Sequence, residues 1–255
     1  MVFVALRAVM AEARSIKSLA EAISNLIDEG AFKANKDGIK MRAVDPAHVA
    51  MVILNLTPKA FEEYEIDKET VLGIDFEKFN TILRRAGPNE KLEMKIDEGA
   101  NRLKITIKGI STRSFNLPLI EVSEEELKIP QIDYPAIIKI DASVVREGLK
   151  DAETVSDHVA FEADKNAFYM RASGDAGEVE VKVGKDDEAM VELSAKEPVK
   201  SLFSIEYLDD MMKASFATDV VLISLGNNLP AQLELNLGGD AGKIMFLLAP
   251  RIEST

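Results

Sequence analysis

The sequence predicts an α+β fold made of two similar domains, each with two helices packed on antiparallel sheets, and three observations carry this prediction. AFKANKDGIKMRAVD at 31–45 and AFEADKNAFYMRASG at 160–174 share Ala31/Ala160, Phe32/Phe161, Ala34/Ala163, Lys36/Lys165, Met41/Met170, Arg42/Arg171 and Ala43/Ala172, which is 7 of 15 positions at an offset of 129. The same offset lays the amphipathic FEKFNTILRRA at 76–86 on IEYLDDMMKAS at 205–215, and an offset of 130 lays the alternating NRLKITIKG at 101–109 on AQLELNLGG at 231–239. Three blocks in one order at one spacing mean two copies of a single domain. Within each copy a helical period and a strand period of two alternate, strands outnumbering helices, which is the pattern of helices on one face of antiparallel sheet.

The elements follow in chain order. Ile16, Leu19, Ala20, Ile23, Leu26 and Ile27 recur at helical spacing, and Val145, Leu149 and Ala152 do so in the second copy. A hairpin then turns at Lys36-Asp37-Gly38, and VAMVILNLT supplies a third strand; VAFEADKNAFYMRAS, EVEVKVG and AMVELSA answer it in copy two. A second helix is predicted over about 75–86 and 205–215, the first of these stopped by Gly87-Pro88. KLEMKID, RLKITIKG and STRSFNLPL close copy one, and VVLISLG, QLELNLG and KIMFLLA close copy two. Residues 1–117 and 136–255 are the two domains. The stretch 118–135, with its Pro residues, a Glu run at 124–126 and no Gly, reads as an extended solvated connector.

Composition narrows the function. Asp and Glu number 44 against 31 Lys and Arg, a net charge of −13 over 255 residues, which disfavours wrapping the whole surface in nucleic acid but permits a local basic face. With no Cys, disulfides, thiolate nucleophiles and Cys-based metal sites are excluded, and a reducing compartment is expected. The start of the chain is interrupted by Arg7, Glu12, Arg14 and Lys17, and no run of about 18 apolar residues occurs, so neither a signal peptide nor a membrane span is predicted and a cytoplasmic protein is expected. GGDAGKI at 238–244 has the wrong Gly spacing and Ile244 where a phosphate loop needs a hydroxyl. No G-x-G-x-x-G, G-x-S-x-G or H-E-x-x-H occurs, and His48 and His158 have no ligand-like spacing, so no catalytic residue, metal or cofactor is predicted. A duplicated α+β enzyme would need clustered acids or His on matched strand ends; the matched blocks share apolar and basic positions instead.

LIDEGAFKANKDGIKMRAVDPAHV at 26–49, FEKFNTILRRAG at 76–87, STRSFNLPLIEV at 111–122, the connector EEELKIPQIDYP, KDAETVSDHV at 150–159, EYLDDMMKA at 206–214 and LLAPRIE at 247–253 together resemble the proliferating cell nuclear antigen family of DNA sliding clamps, in its archaeal form. The resemblance spans essentially the whole chain. It implies the DNA-clamp fold and a ring of three two-domain subunits joined head to tail, a homotrimer ahead of a heterotrimeric or checkpoint-type clamp, encircling duplex DNA as a processivity factor and docking platform. On the DNA side it implies Lys17, Arg84, Arg85, Lys150 and Lys213, with Arg14, Lys78 and Arg146 nearby; Ser18, Ser24 and Thr81 stand where many relatives carry Lys. A pocket for the short motif of DNA polymerase, clamp loader, flap endonuclease and DNA ligase is implied at Val44, His48, Val49, Leu127, Ile129, Pro130, Pro230, Leu247, Ala249, Pro250 and Ile252, with Leu247 in place of a frequent aromatic. The resemblance implies a subunit junction in which GISTRSFNL at 109–117, with Phe115, pairs with AGEVEVKV at 176–183, with Val179 and Val181, of the next subunit, and the charge pattern adds Arg85 and Arg113 near Glu147 and Asp151 of that neighbour as ion pairs.

Overall fold

The computed structural model describes residues 4–97, 99–122, 127–217 and 219–252; the Glu run at 124–126 and Glu253 lie outside the described residues. The chain divides into two compact units, one of residues 1–46, 52–127 and 236–244, the other of residues 47–51, 128–235 and 245–255.

In the first unit, strand β1 (Val4–Met10) leads into helix α1 (Arg14–Leu26), then β2 (Glu29–Asn35), β3 (Gly38–Val44), β4 (Ala50–Leu56), β5 (Glu63–Ile66), β6 (Thr70–Asp75), helix α2 (Phe76–Leu83), β7 (Lys91–Asp97), β8 (Arg102–Lys108) and β9 (Thr112–Pro118). The strands order as β5-β1-β7-β8-β9 and β4-β3-β2-β6. The second unit repeats this with β10 (Ala136–Asp141), α3 (Ala142–Glu153), β11 (His158–Ala163), β12 (Ala167–Gly174), β13 (Gly177–Gly184), β14 (Met190–Ala195), β15 (Val199–Ser204), α4 (Ile205–Met212), β16 (Val220–Leu225), β17 (Ala231–Asn236) and β18 (Gly242–Leu248). Its orders, β14-β10-β16-β17-β18 and β13-β12-β11-β15, match the first unit strand for strand, and the strand pairs whose registers are resolved are antiparallel.

The helices form where the apolar spacing demands. Ile16, Leu19, Ala20, Ile23 and Leu26 of α1 are buried, as are Val145, Leu149 and Ala152 of α3. Asp75 caps α2 by accepting from the Lys78 amide at 2.9 Å, and Asp141 caps α3 by accepting from the Ser143 amide at 2.7 Å. Phe32 meets Phe76 and Phe79 edge-on at 5.4 and 5.9 Å, and its repeat partner Phe161 meets Phe168 and Phe203 at 5.3 and 5.8 Å.

Five strands lie outside the sequence prediction: β1, β5, β6, β10 and β15. β1 carries Arg7 at its centre, and EYEI of β5 is charged at alternate positions. The two explain each other, because Arg7 bonds Glu63 of β5 and Glu93 of β7 across the sheet, 3.0 Å from the latter. Lys108, and after it Arg7, holds the Glu93 carboxyl below its ordinary range, and Glu63 is lowered by Arg7.

Candidate functional site

The 129-residue offset makes Lys17 and Arg146 one position and Arg84 and Lys213 another. The structure uses the first position alike in both units: the Lys17 ammonium donates to the Ala86 carbonyl just past α2, and Arg146 Nη1 donates at 2.6 Å to Oγ of Ser215, the repeat partner of Ala86. Arg146 also lies over the Phe216 ring, 4.7 Å from its centre. The second position is ion-paired in both units, Arg84 to Glu21 at 3.0 Å and Lys213 to Asp210 at 2.6 Å. Lys150, which stands where the first unit has Glu21, pairs instead with Glu147 on its own helix at 2.9 Å, and this pair lowers the Glu147 carboxyl. Lys78 bonds the cap residue Asp75 at 2.6 Å; burial pushes that carboxyl up, but the Lys78 contacts outweigh it and leave it lowered. Arg14 and Arg85 are exposed.

The helical faces of the two units differ in sign. Segments 14–26 and 75–86 hold five basic residues against three acidic ones, whereas 142–154 and 204–215 hold three basic against six acidic. Basic character is therefore concentrated on the first unit.

The strands proposed for subunit contact are both terminal in their sheets, β9 in the first unit and β13 in the second. Each shows alternate half-buried side chains, Arg113 and Phe115 on β9 and Val179 and Val181 on β13. Arg113, which the sequence reading aims at a neighbouring copy, commits its guanidinium within the chain, to Glu90 and, at 2.8 Å, to the Arg85 carbonyl. Glu90 also accepts from the Gly87 amide at 2.7 Å; that bond and Arg113 keep its carboxyl lowered. On the other side, a Cβ at Gly148 would lie 1.9 Å from Met170 Cε and 3.5 Å from Val181 Cγ2, so glycine seats α3 close over β12 and β13 and brings exposed Glu147 and Asp151 beside that edge.

The expected pocket residues belong to several segments. In the second unit the Ala249 amide donates to the Val49 carbonyl at 2.8 Å and the Arg251 amide to the Leu202 carbonyl at 2.7 Å, which pins the chain on both sides of Pro250 and leaves Ile252 79% exposed. Leu247, expected as a pocket wall, is buried within β18. His48 is exposed with φ of 58°, and Ile129, Pro130 and Pro230 remain at least partly exposed. In the first unit Val44 ends β3 half-buried, and the Leu127 carbonyl accepts from Arg42 Nη1 at 3.2 Å. His158 lies 2.6 Å from Arg251 through Nε2, and burial, then that guanidinium, lowers its pKa.

Residues 5–129 match the N-terminal domain of proliferating cell nuclear antigen, and residues 128–251 match its C-terminal domain. The chain belongs to the proliferating cell nuclear antigen family. Among relatives of this family it is 43% identical over 242 residues to the DNA polymerase sliding clamp of Thermococcus onnurineus, and 41% identical over 241 residues to that of Pyrococcus abyssi. Each match covers 94% of this chain and 96% of the relative. The crystal structure of a Thermococcus kodakaraensis member superposes with a TM-score of 0.91 at 30% identity, covering 96% of this chain and all of that one.

For a member of this family the α+β two-domain architecture is the one the sequence predicts. Among the described residues no cluster of three or more His, Cys, Asp or Glu is placed to hold a metal, and no helix is long and apolar enough to cross a membrane. Sequence reading does not single out Glu21, Glu90 or Asp210, the acidic partners of the basic residues. The repeat offset is the signal that could have found the first, since it sets Glu21 against Lys150.

Proposed function

We propose that three identical copies of this chain close head to tail into a ring around duplex DNA, with the helix cations turned to the phosphates. Family membership over the whole chain makes the protein a DNA polymerase sliding clamp, in a family whose role is a non-catalytic one. The observation that carries the finer reading is the pairing of Lys17 with Arg146 and of Arg84 with Lys213 at equivalent helix positions of the two units. Repetition of the same charge at the same place suits a sequence-independent contact, because phosphates recur along the duplex whereas base edges do not. The clamp raises processivity by tethering, which multiplies the effective concentration of polymerase at the primer end.

In this reading β9 of one copy continues the sheet at β13 of the next, with Arg85 facing Glu147 and Asp151 and with Arg113 stiffening β9 from behind. Polymerase, clamp loader, flap endonuclease and ligase dock an aromatic and aliphatic anchor against Ile129, Pro250 and Ile252, with backbone pairing at the rim.

Native mass of the purified chain, with rings seen by electron microscopy, tests the trimer; a persistent monomer would instead call for partner paralogues. Replacing Lys17, Arg84, Lys150 and Lys213 together by Ala should flatten the salt dependence of DNA association, and an unchanged slope removes them from the DNA face. Ile129→Asp should abolish binding of a peptide bearing such anchors.

A further inference from the structure

We propose that the outer face of the β2-β3 hairpin is a docking strip for acidic, extended protein segments that continue from the anchors of a partner's short motif; this rests on the docking reading above. The hairpin 31–44 carries Lys33, Lys36, Lys40 and Arg42 against Asp37 alone, in a chain whose net charge is −13. Strand alternation turns Lys33, Lys40 and Arg42 to the exposed face, above buried Phe32, Ala34, Ile39, Met41 and Ala43, and Lys36 is exposed at the turn. Lys33 and Lys40 stand directly opposite one another in the register, a like-charged pair that destabilises a sheet. The flanking strands supply no counter-charge at that end. β4 (AMVILNL) holds no charged residue, β6 sets Val71 across from Lys33, and the one acid of β6, Asp75, faces Glu29 at the far end of β2. Among the described residues Lys36 and Lys40 hold no ion pair.

The repeat supplies the contrast. At the offset of 129 the same four positions are Glu162, Lys165, Tyr169 and Arg171, and there Arg171 bonds Glu162 and Glu180 and lies over the Tyr169 ring, 4.4 Å from its centre. One hairpin neutralises its cations within its own sheet; the other turns them outward. The outward strip is also continuous with the implied pocket. Arg42 Nη1 donates to the Leu127 carbonyl at 3.2 Å, and Val44 is the next outward position of β3, so one end of the strip lies at two of the pocket residues. Outward side chains on a strand recur about every 7 Å, so an extended segment with acidic side chains at alternate residues meets Arg42 and Lys40 in step and then reaches Lys36. Half-buried Ile53 and Val71 flank the cations. That mixture of apolar surface and cations selects a protein segment over a phosphate backbone as the occupant.

Fluorescence anisotropy of labelled peptides on the full chain tests this. Each peptide carries one aromatic and one aliphatic anchor with a run of alternating Asp on one side or the other, and its twin has Asn for every Asp. At low salt the Asp peptide should bind about three- to tenfold more tightly than its twin in one of the two placements, and the gain should fade at high salt. Lys36→Gln with Lys40→Gln should remove the gain, and Lys36→Glu with Lys40→Glu should reverse it, with the Asn peptide and circular dichroism unchanged because both side chains are exposed. Equal affinities for Asp and Asn peptides in both placements overturn the strip while the pocket stands. If Ile129→Asp leaves both peptides bound as before, the pocket reading falls and the strip that continues from it falls too. A Lys36→Glu, Lys40→Glu chain that loses binding to a single-stranded oligonucleotide yet keeps the Asp gain overturns the proposal in favour of a phosphate ligand.

Discussion

The two units share a strand order and a helix placement, yet they differ in how the first helix meets the sheet and in the sign of the charge it carries outward. In the first unit α1 packs with Leu19, fully buried; in the second the same position is Gly148, over which the Met170 terminal methyl folds to within 1.9 Å of where a Cβ would sit. The first unit ties its larger sheet with Arg7, Glu63, Glu93 and Lys108, while the second concentrates ion pairs on the smaller sheet, where Arg171 bonds Glu162 and Glu180. The duplication has kept backbone and core pattern and released the surface. One copy can then specialise toward phosphate and the other toward an acidic edge beside β13.

Exchanging the two helix contacts should break the comparison most severely. Leu19→Gly removes a buried side chain and weakens a helix, an expected loss of about 4 kcal/mol, and Gly148→Leu overpacks α3 against Met170 at a cost of about 3 kcal/mol, both read by denaturant unfolding. If either is tolerated, the units pack alike after all. Next in size, Lys17→Ala with Arg84→Ala should lower the salt slope of DNA association by about two, and Arg146→Ala with Lys213→Ala by less, because acidic neighbours already offset those cations. Equal slopes would erase the charge distinction.

Acid should separate the units by pH window. Glu63, Glu90, Glu93 and Asp75 have lowered folded pKa values, so the unfolded chain binds protons first and the first unit loses stability only as pH falls below about 4.5. His158 is lowered from 6.5, so the unfolded form again binds protons first and the second unit begins to lose stability below about pH 6.5. Amide exchange at Leu202 and Arg251 should rise in that upper window and fail to do so in His158→Asn. Smaller again is Arg171→Ala, about 1 kcal/mol by denaturant unfolding, since Glu162 keeps Lys200 at 3.2 Å, and Arg42→Ala, which loses one carbonyl bond, should have the smallest effect of all.

Much of this architecture is legible in the residues themselves. The repeat is readable because both copies keep apolar side chains at the same core positions, and α1 and α3 because Ile16, Ile23, Val145 and Leu149 return every three or four residues. β5 is not readable, since its Glu63 and Glu65 look like loop charge until Arg7 is known to lie across from them. β6 contains Gly73, which closely approaches the Ile120 carbonyl, a contact between distant parts of the chain. At the site, basic positions can be chosen from sequence, but their partners depend on which helix end lies opposite. Arg113 shows the gap: its place on β9 is predicted, its inward commitment to Glu90 is not.

That Lys78, Arg84, Lys150 and Lys213 each already hold a carboxylate inside the chain bears on friction in the ring proposed above. A phosphate approaching such a group competes with an acceptor of similar strength, and exposed pairs differ by roughly 0–1 kcal/mol. Swapping one acceptor for another leaves the energy landscape along the duplex axis nearly level. In the proposed ring, a collar built on such cations would behave as a bearing, able to drift with thermal motion rather than lodging at each nucleotide.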